Sequence, residues 1–282
     1  MPSPYFLLFE LIIYIQFALC LRHALKGGTA NLFKLGFGIL FGVMLEIATI
    51  RQLNAYEYGQ FMLMVLDVPL CIGVAWSCII YAVMEFSDAS SLPTFLRPVL
   101  DGLLALNIDL ALDAVAIRFG FWDWGQGLQF QYFGVPYANF WAWFWVVFSF
   151  SLGYRLLAQN KSWVGKWLSA PLAFLIGLFG VLGTNAFITF IVLAAIRPGL
   201  IFLTLASALG LVLLKRPSFY LRPVDPTAFW VPFLTHAYIM VAGVISGIIF
   251  NPIMLLLLGI IMFGLSLYLH HKTIREIFPT RT

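Results

Sequence analysis

Five acidic side chains stand inside long apolar stretches of this sequence: Glu10, Glu46, Asp67, Asp109 and Asp113. Carboxyl groups in an apolar setting are costly, which makes them candidates for a functional site. Asp109 and Asp113 are four residues apart and therefore share one face of a helix. Two such close carboxylates cannot easily both ionise in a low dielectric, so one is expected to keep its proton. A carboxylic acid beside a carboxylate is suited to general acid–base chemistry.

The stretch that follows these aspartates, residues 119–145, is rich in aromatic side chains. Trp and Tyr commonly gather at membrane interfaces, which explains many of them. The stretch also carries glycines and side-chain amides, which suit a segment that folds back over a bundle as a lid. Because aromatic faces attract cations, an aromatic pocket beside a carboxylic acid would suit a carbocation intermediate. The aromatic residues at this level are Tyr56, Tyr58, Trp122, Trp124, Tyr132, Phe133, Tyr137, Trp141, Trp143 and Trp145.

The composition indicates that a membrane surrounds these residues. The 282 residues are 62% hydrophobic and only 10% charged, whereas a soluble domain carries about 25% charge. The mean hydropathy of +0.97 and the repeated long apolar runs predict an all-α, polytopic transmembrane helical bundle. We expect one integral-membrane domain over residues 1–282.

Nine apolar segments predict eight or nine membrane helices. The breaks at Arg197-Pro198 and Asn251-Pro252 are the least distinct, although both are turn or breaker dipeptides. The segments are residues 5–22, 32–50, 61–84, 99–118, 137–157, 171–194, 199–214, 229–249 and 252–270.

The distribution of Lys and Arg predicts the orientation of this bundle. With the N-terminus outside, thirteen of the 16 Lys and Arg residues fall in inner loops or the tail, Lys161 and Arg281 among them. That bias is typical of the positive-inside rule and of a prokaryotic plasma membrane. The N-out, C-in topology places all five membrane acids in the outer half, whereas Asp101 is expected at the inner end as a solvated or N-terminal helix carboxylate.

Motifs for several other functions are missing from the sequence. We find neither a nucleotide-binding glycine motif, nor histidine boxes, nor a basic stripe for nucleic acid. We therefore expect a protein without cofactor, metal site or nucleic-acid partner. Cys20, Cys71 and Cys78 are interpreted as packing thiols, and His236 as a hydrogen-bonded core histidine.

Several alternatives for the acids remain open at this point. They could pair with Arg51, Arg118 or backbone groups and only hold helices together, as in an assembly factor. They could form the relay of a proton-coupled transporter. Asp109 and Asp113 also resemble half of the aspartate motif of membrane prenyltransferases, but a second such motif is missing.

Three stretches of the sequence resemble the carotenoid 1,2-hydratase family. They are Asp109-Leu-Ala-Leu-Asp113, Gly120-Phe-Trp122-Asp-Trp124, and Tyr132-Phe-Gly134-Val-Pro136-Tyr-Ala-Asn139-Phe140-Trp-Ala-Trp143. Glu46, Tyr56-Glu-Tyr58-Gly59 and Val68-Pro69 also match, while Ala114 stands where the family has proline. The resemblance covers about residues 45–155.

This resemblance implies a cofactor-independent lyase that hydrates the terminal C=C bond (ψ end group) of a carotenoid or related isoprenoid. An acid protonates the double bond, and a water directed by a carboxylate captures the resulting tertiary cation. A membrane terpene or carotenoid cyclase, or a prenyl-modifying enzyme, is the related alternative. A lipophilic polyene, membrane lipid and other enzymes of the carotenoid pathway are the expected partners.

The resemblance also implies the roles of individual residues. Asp109 and Asp113 would be the acid/base pair, with Glu46 and Asp67 helping in proton supply or water placement. Trp122, Trp124 and Tyr132 would line the cation pocket. The remaining substrate-binding candidates are Tyr58, Asn139 and Trp143.

Overall fold

The computed structural model describes residues 3–158 and 163–279, so Lys161 and Arg281 lie outside the described residues. Over these residues the chain forms ten α-helices and four two-residue strands. The helices are α1 Pro4–Gly27, α2 Thr29–Leu53, α3 Leu70–Asp88, α4 Arg97–Ala116, α5 Tyr137–Ala158, α6 Trp163–Ala186, α7 Arg197–Lys215, α8 Thr227–Ser246, α9 Met254–Leu269 and α10 His271–Ile277. The strands are β1 Glu57–Tyr58, β2 Met64–Val65, β3 Val68–Pro69 and β4 Trp122–Asp123.

The prediction of an all-α bundle is confirmed, and α1–α9 correspond to the nine apolar segments. In the described chain, seven helices are long and apolar enough to cross a membrane, or eight if α9 and α10 form one bent span. Helix α4 is not among them because it carries the three acids Asp101, Asp109 and Asp113. Sixteen of its residues are nevertheless buried, so neighbouring helices shield these carboxyl groups from lipid.

Successive helices alternate in direction, which gathers the connecting segments at two ends of the bundle. At the site end (residues 54–69, 117–136, 192–196 and 247–253), strand β1 pairs with β4, and the Arg118 guanidinium donates to the carbonyl oxygens of Asn251 and Phe133. At the far end (residues 89–96 and 216–226), the Ser91 amide donates to the Ser218 carbonyl at 2.9 Å.

Helix α3 begins at Leu70 and not at residue 61 as the hydropathy predicted. Residues 64–69 instead form a hairpin, in which Met64 pairs with Pro69 and Val65 with Val68. Proline lacks an amide donor and disfavours helix in the residue before it, which explains the later start. The expected helical position of Asp67 is therefore wrong, because Asp67 lies in the turn of this hairpin.

A buried ion network joins α3, α4 and α5 at the far end. Asp101 is fully buried, and its Oδ2 accepts hydrogen bonds from Arg155 Nη1 at 2.5 Å and from Ser151 Oγ at 2.5 Å. Asp88 Oδ1 accepts from Arg155 Nη2 at 2.9 Å and from Arg97 Nη1 at 3.1 Å. The expectation of a solvated Asp101 is therefore wrong, since the carboxylate is enclosed with its own cation, whereas the expected position of Asp101 near a helix N-terminus agrees with the start of α4 at Arg97.

Removal of the Arg155 cation should destabilise the fold strongly. Arg155→Met leaves the Asp101 carboxylate buried without a counter-charge, a change that costs about 3–5 kcal/mol in comparable sites. We expect a clearly lower thermal unfolding midpoint in detergent, partly restored by the double variant Asp101→Asn/Arg155→Met. Equal midpoints for the single and double variants would contradict this prediction.

Labelling of introduced cysteines tests the predicted N-out, C-in orientation. The three native cysteines should not react with a membrane-impermeant maleimide, because Cys20, Cys71 and Cys78 are fully buried. Met62 at the site end is 65% exposed, and Lys272 beyond the far end is also exposed. In intact cells Met62→Cys should label directly and Lys272→Cys only after permeabilisation. The reverse result would invert the orientation.

Candidate functional site

A cavity of about 520 Å³ lies between the helices near the site end. Its walls are mainly apolar side chains from α1–α8, and its volume is in the range of small-molecule sites. A smaller set of polar groups faces the same space, which is the composition expected of a site that orients an apolar ligand. These polar residues are Glu46, Thr49, Asn54, Tyr56, Tyr58, Asp113, Gln126, Gln131, Tyr137, Asn139, Asn185, Thr189, Arg197 and Thr235.

The aspartate pair shares one amide donor from the neighbouring helix. Asn139 Nδ2 donates to Asp113 Oδ2 at 2.6 Å and lies 3.2 Å from both carboxylate oxygens of Asp109. Both aspartates are buried, with exposed fractions of 0% for Asp109 and 2% for Asp113. Two buried carboxyl groups beside one amide form a site that suits one shared proton. The predicted pairing of Asp109 and Asp113 on one helix face is confirmed.

The two aspartates differ in their access to the cavity. Asp113 lines it, whereas Asp109 lies one helical turn behind and is not among the lining residues. Among the described residues Asp113 Oδ1 is a buried atom without a hydrogen-bond partner. Asp113 is therefore the member of the pair that can meet a bound molecule, and Asp109 supports it.

Glu46 on α2 supplies the second carboxyl group of the cavity wall. Its Oε2 accepts hydrogen bonds from the hydroxyls of Tyr56 and of Tyr58, the latter at 2.8 Å. Its Oε1 accepts from Trp76 Nε1 at 2.6 Å. Trp76 Nε1 can only donate and both hydroxyls are able to donate, which matches the acceptor-only oxygens of a deprotonated carboxylate. The setting of Glu46 is thus suited to a carboxylate, in contrast to the shared-proton setting of the aspartates.

A lid segment (residues 119–136) covers part of the cavity with aromatic side chains. Strand β4 within it pairs with β1, so that Tyr58 lies opposite Trp122. The Tyr56 and Trp124 rings are 4.7 Å apart, and the Trp76 and Trp143 rings 4.4 Å apart. Trp122, Trp124 and Trp143 all line the cavity. The pairing explains how a segment with little regular structure holds Trp122 and Trp124 in place, whereas Trp76 is held on α3 and Trp143 on α5.

Most of the residues predicted from the sequence meet in this one cavity. Glu46, Tyr58, Asp113, Trp122, Trp124, Asn139 and Trp143 line it, with Asp109 behind Asp113. Asp67 does not join them: its side chain is 72% exposed and accepts a hydrogen bond from Arg51 at 3.0 Å. Tyr132 is also outside the lining, since its hydroxyl donates to the Leu110 carbonyl and its ring packs on Phe140.

Two other polar groups have local structural partners. The Glu10 carboxylate accepts a hydrogen bond from the Met62 amide at 2.6 Å and is not among the cavity-lining residues. His236 Nε2 lies 3.2 Å from Asn107 Oδ1. The interpretation of His236 as a hydrogen-bonded core histidine is confirmed.

Several cavity residues were not among the predicted site residues, and Tyr56, Trp76, Asn185 and Arg197 are examples. Trp76 gave a usable signal, because a tryptophan in the middle of an apolar span lies away from the interfaces that this residue prefers. Asn185 was a similar signal, since it is a polar residue within the apolar stretch of α6. Tyr56 was recognised as an aromatic residue at the level of the acids and as part of a stretch that resembles the family, but it was given no role. The position of Arg197 beside a loop offered no comparable signal.

Comparison with known proteins identifies one family. Residues 4–213 match the model of a family described as carotenoid biosynthesis protein. The match spans α1 to the end of α7 and thus includes Glu46, the two aspartates, Asn139 and the lid segment. No curated protein matches the chain, and no solved structure matches it.

Loss of the Asn139 amide should lower the stability of the fold, and a second substitution at Asp109 should restore part of that stability. Asn139→Ala leaves two buried carboxyl groups without this donor, at a cost of about 1–3 kcal/mol per unsatisfied group. We expect a lower thermal midpoint in detergent. In the double variant Asp109→Asn/Asn139→Ala the new amide can donate to Asp113, which should recover part of the loss. A midpoint unchanged by Asn139→Ala would refute the shared-donor role.

Proposed function

The chain belongs to the carotenoid biosynthesis protein family, and from this membership we propose that it is an integral-membrane hydratase of carotenoid ψ end groups. The observation that carries the proposal is the meeting of two unlike carboxyl sites in one apolar, aromatic-walled cavity. The aspartate pair suits a proton donor, and Glu46 suits a base. Addition of water to an isolated C=C bond requires both functions.

In the proposed first step, Asp113 transfers its proton to C2 of the terminal double bond. The C2–H bond forms from the π electrons, and a tertiary cation develops at C1. Asp113 is assigned this step because it lines the cavity while Asp109 does not. Asp109 favours the proton on Asp113, since a second ionised carboxylate so close would be unfavourable, and the Asn139 amide holds both carboxyl groups in place.

In the proposed second step, water captures the cation at C1. The C1–O bond forms while one water proton passes to the Glu46 carboxylate, which leaves a tertiary alcohol. Transfer of a proton between Glu46 and Asp113, directly or through water, restores the starting state. The faces of Trp122, Trp124 and Trp143 would stabilise the cation between the two steps.

Expression in a lycopene-accumulating bacterium tests the proposal, with mass spectrometry of the extracted pigment. We expect new pigments heavier by one or two waters, because lycopene carries two ψ ends. Asp113→Asn removes the donated proton and should abolish these products. Asp67→Asn should keep them, because the Asp67 carboxylate is exposed and outside the cavity.

Other results would reject the hydratase reading. A product with the mass of lycopene but a different absorption spectrum would favour a cyclase, which uses the same acid and excludes water. Full hydration by Asp113→Asn would reject the assignment of the acid. Hydration abolished equally by Asp67→Asn would restore the role that the sequence gave to Asp67.

A further inference from the structure

Three hydrogen-bond donors from two parts of the chain surround the Glu46 carboxylate. Glu46 already lies on a regular helix, and its exposed fraction is 5%. Both of its oxygens nevertheless accept hydrogen bonds, Oε1 from Trp76 and Oε2 from Tyr56 and Tyr58. Such charge-assisted bonds are roughly twice as strong as neutral ones, and three of them fix both the charge and the rotation of the carboxylate.

The donors reach Glu46 from two separate parts of the molecule. Trp76 is on α3, whereas Tyr56 and Tyr58 are in the segment that follows α2 and includes β1. Burial raises the pKa of both phenols well above the usual value, and the negative charge of Glu46 adds to the rise. Both hydroxyls therefore keep their protons and remain donors throughout the ordinary pH range.

The same tyrosines contact the lid segment. The Tyr56 ring lies 4.7 Å from that of Trp124, and the Tyr58 ring 6.1 Å from that of Trp122. The hydrogen bonds of Glu46 and the aromatic wall of the cavity are thus parts of one assembly. The two tyrosines that orient the Glu46 carboxylate also pack against the rings of Trp122 and Trp124, which line the cavity.

We propose that Tyr56, Tyr58 and Trp76 are positioning residues that hold the Glu46 carboxylate against the attacking water and so direct the cation to hydration. This inference rests on the proposed hydratase function. The aspartate pair forms the cation without help from these three residues. Without them Glu46 accepts the water proton poorly, and the cation returns to an alkene.

The cation has two possible fates. In hydration, the water oxygen bonds to C1 and one water proton moves to Glu46. In the return to the alkene, a proton leaves C2 for the Asp113 carboxylate, and the electrons of the broken C2–H bond reform the C1=C2 bond. In D₂O the proton first delivered is a deuteron, so a cation that returns can leave deuterium at C2 of the recovered substrate. The ratio of hydrate to deuterated substrate therefore reports which fate prevails.

The experiment uses membranes that contain the full chain and lycopene, incubated in D₂O. Mass spectrometry then quantifies the hydrate and the deuterium in recovered lycopene. The test variants are Tyr56→Phe, Tyr58→Phe and Trp76→Phe, each of which removes one donor to Glu46. The matched controls are Tyr14→Phe and Trp145→Phe, which remove a buried hydroxyl and indole N–H that have no partner among the described residues and do not line the cavity.

For each test variant we expect the ratio of hydrate to deuterated lycopene to fall by about tenfold to a hundredfold, the range for a lost hydrogen bond to a charged group. Deuterium incorporation itself should persist, and both controls should keep the wild-type ratio. In a Glu46→Gln background the same substitutions should add no further change, because they act through Glu46. This non-additivity separates positioning from a general loss of folded protein.

Three results would overturn the inference. If the wild type hydrates lycopene and the test variants show the same ratio of hydrate to deuterated lycopene as the controls, the positioning role is rejected and the proposed function stays intact. An equal fall of hydration and deuterium incorporation would show damage to the whole site instead of loss of water capture. A wild-type chain that neither hydrates nor deuterates lycopene would reject the proposed function and this inference together.

Discussion

The interface between α4 and α5 is the constraint on which the rest of the structure depends. Helix α4 carries three buried acids, and each must find a partner on another helix because lipid offers none. Asp109 and Asp113 share the Asn139 amide near the site end, and Asp101 meets Arg155 near the far end. Both sets of residues are spaced at multiples of four along their helices. Two polar contacts on one antiparallel pair determine its register, and this register aims Asp113 at the cavity.

The other helices are arranged so that they enclose the polar interface between α4 and α5. In α6 and α7 the most apolar windows are only 22% and 11% buried, so their apolar side chains face outward. Helix α3 is 83% buried over the corresponding window and lies between α2 and α4. Helix α4, with its three acids, is buried at sixteen positions, whereas α6 and α7 carry much of the outward-facing apolar surface. The hydrophobic effect and the cost of buried charge favour the same arrangement.

The sequence predicts those features that depend on local pattern. Apolar runs gave nine helices, and the four-residue spacing of Asp109 and Asp113 gave their common face. Contacts between segments that are distant along the chain could not be predicted from the sequence. The exposure of Asp67 follows from a hairpin that a continuous apolar run conceals, and the burial of Asp101 follows from Arg155, 54 residues away. Tyr132 has the residue type of a cavity wall, but the bond of its hydroxyl to Leu110 turns it away.

The carboxyl groups that face the cavity are held by different means, and this difference supports a division of labour. The two aspartates lie close together on one rigid helix, and this proximity favours retention of a proton, while the shared Asn139 amide holds both carboxyl groups in place. Glu46 takes its donors from α3 and from the segment that pairs with the lid, an arrangement that favours a carboxylate. A single carboxyl group cannot be acid and base at the same moment of the proposed hydration. Two environments within one cavity allow proton donation and water activation to coexist.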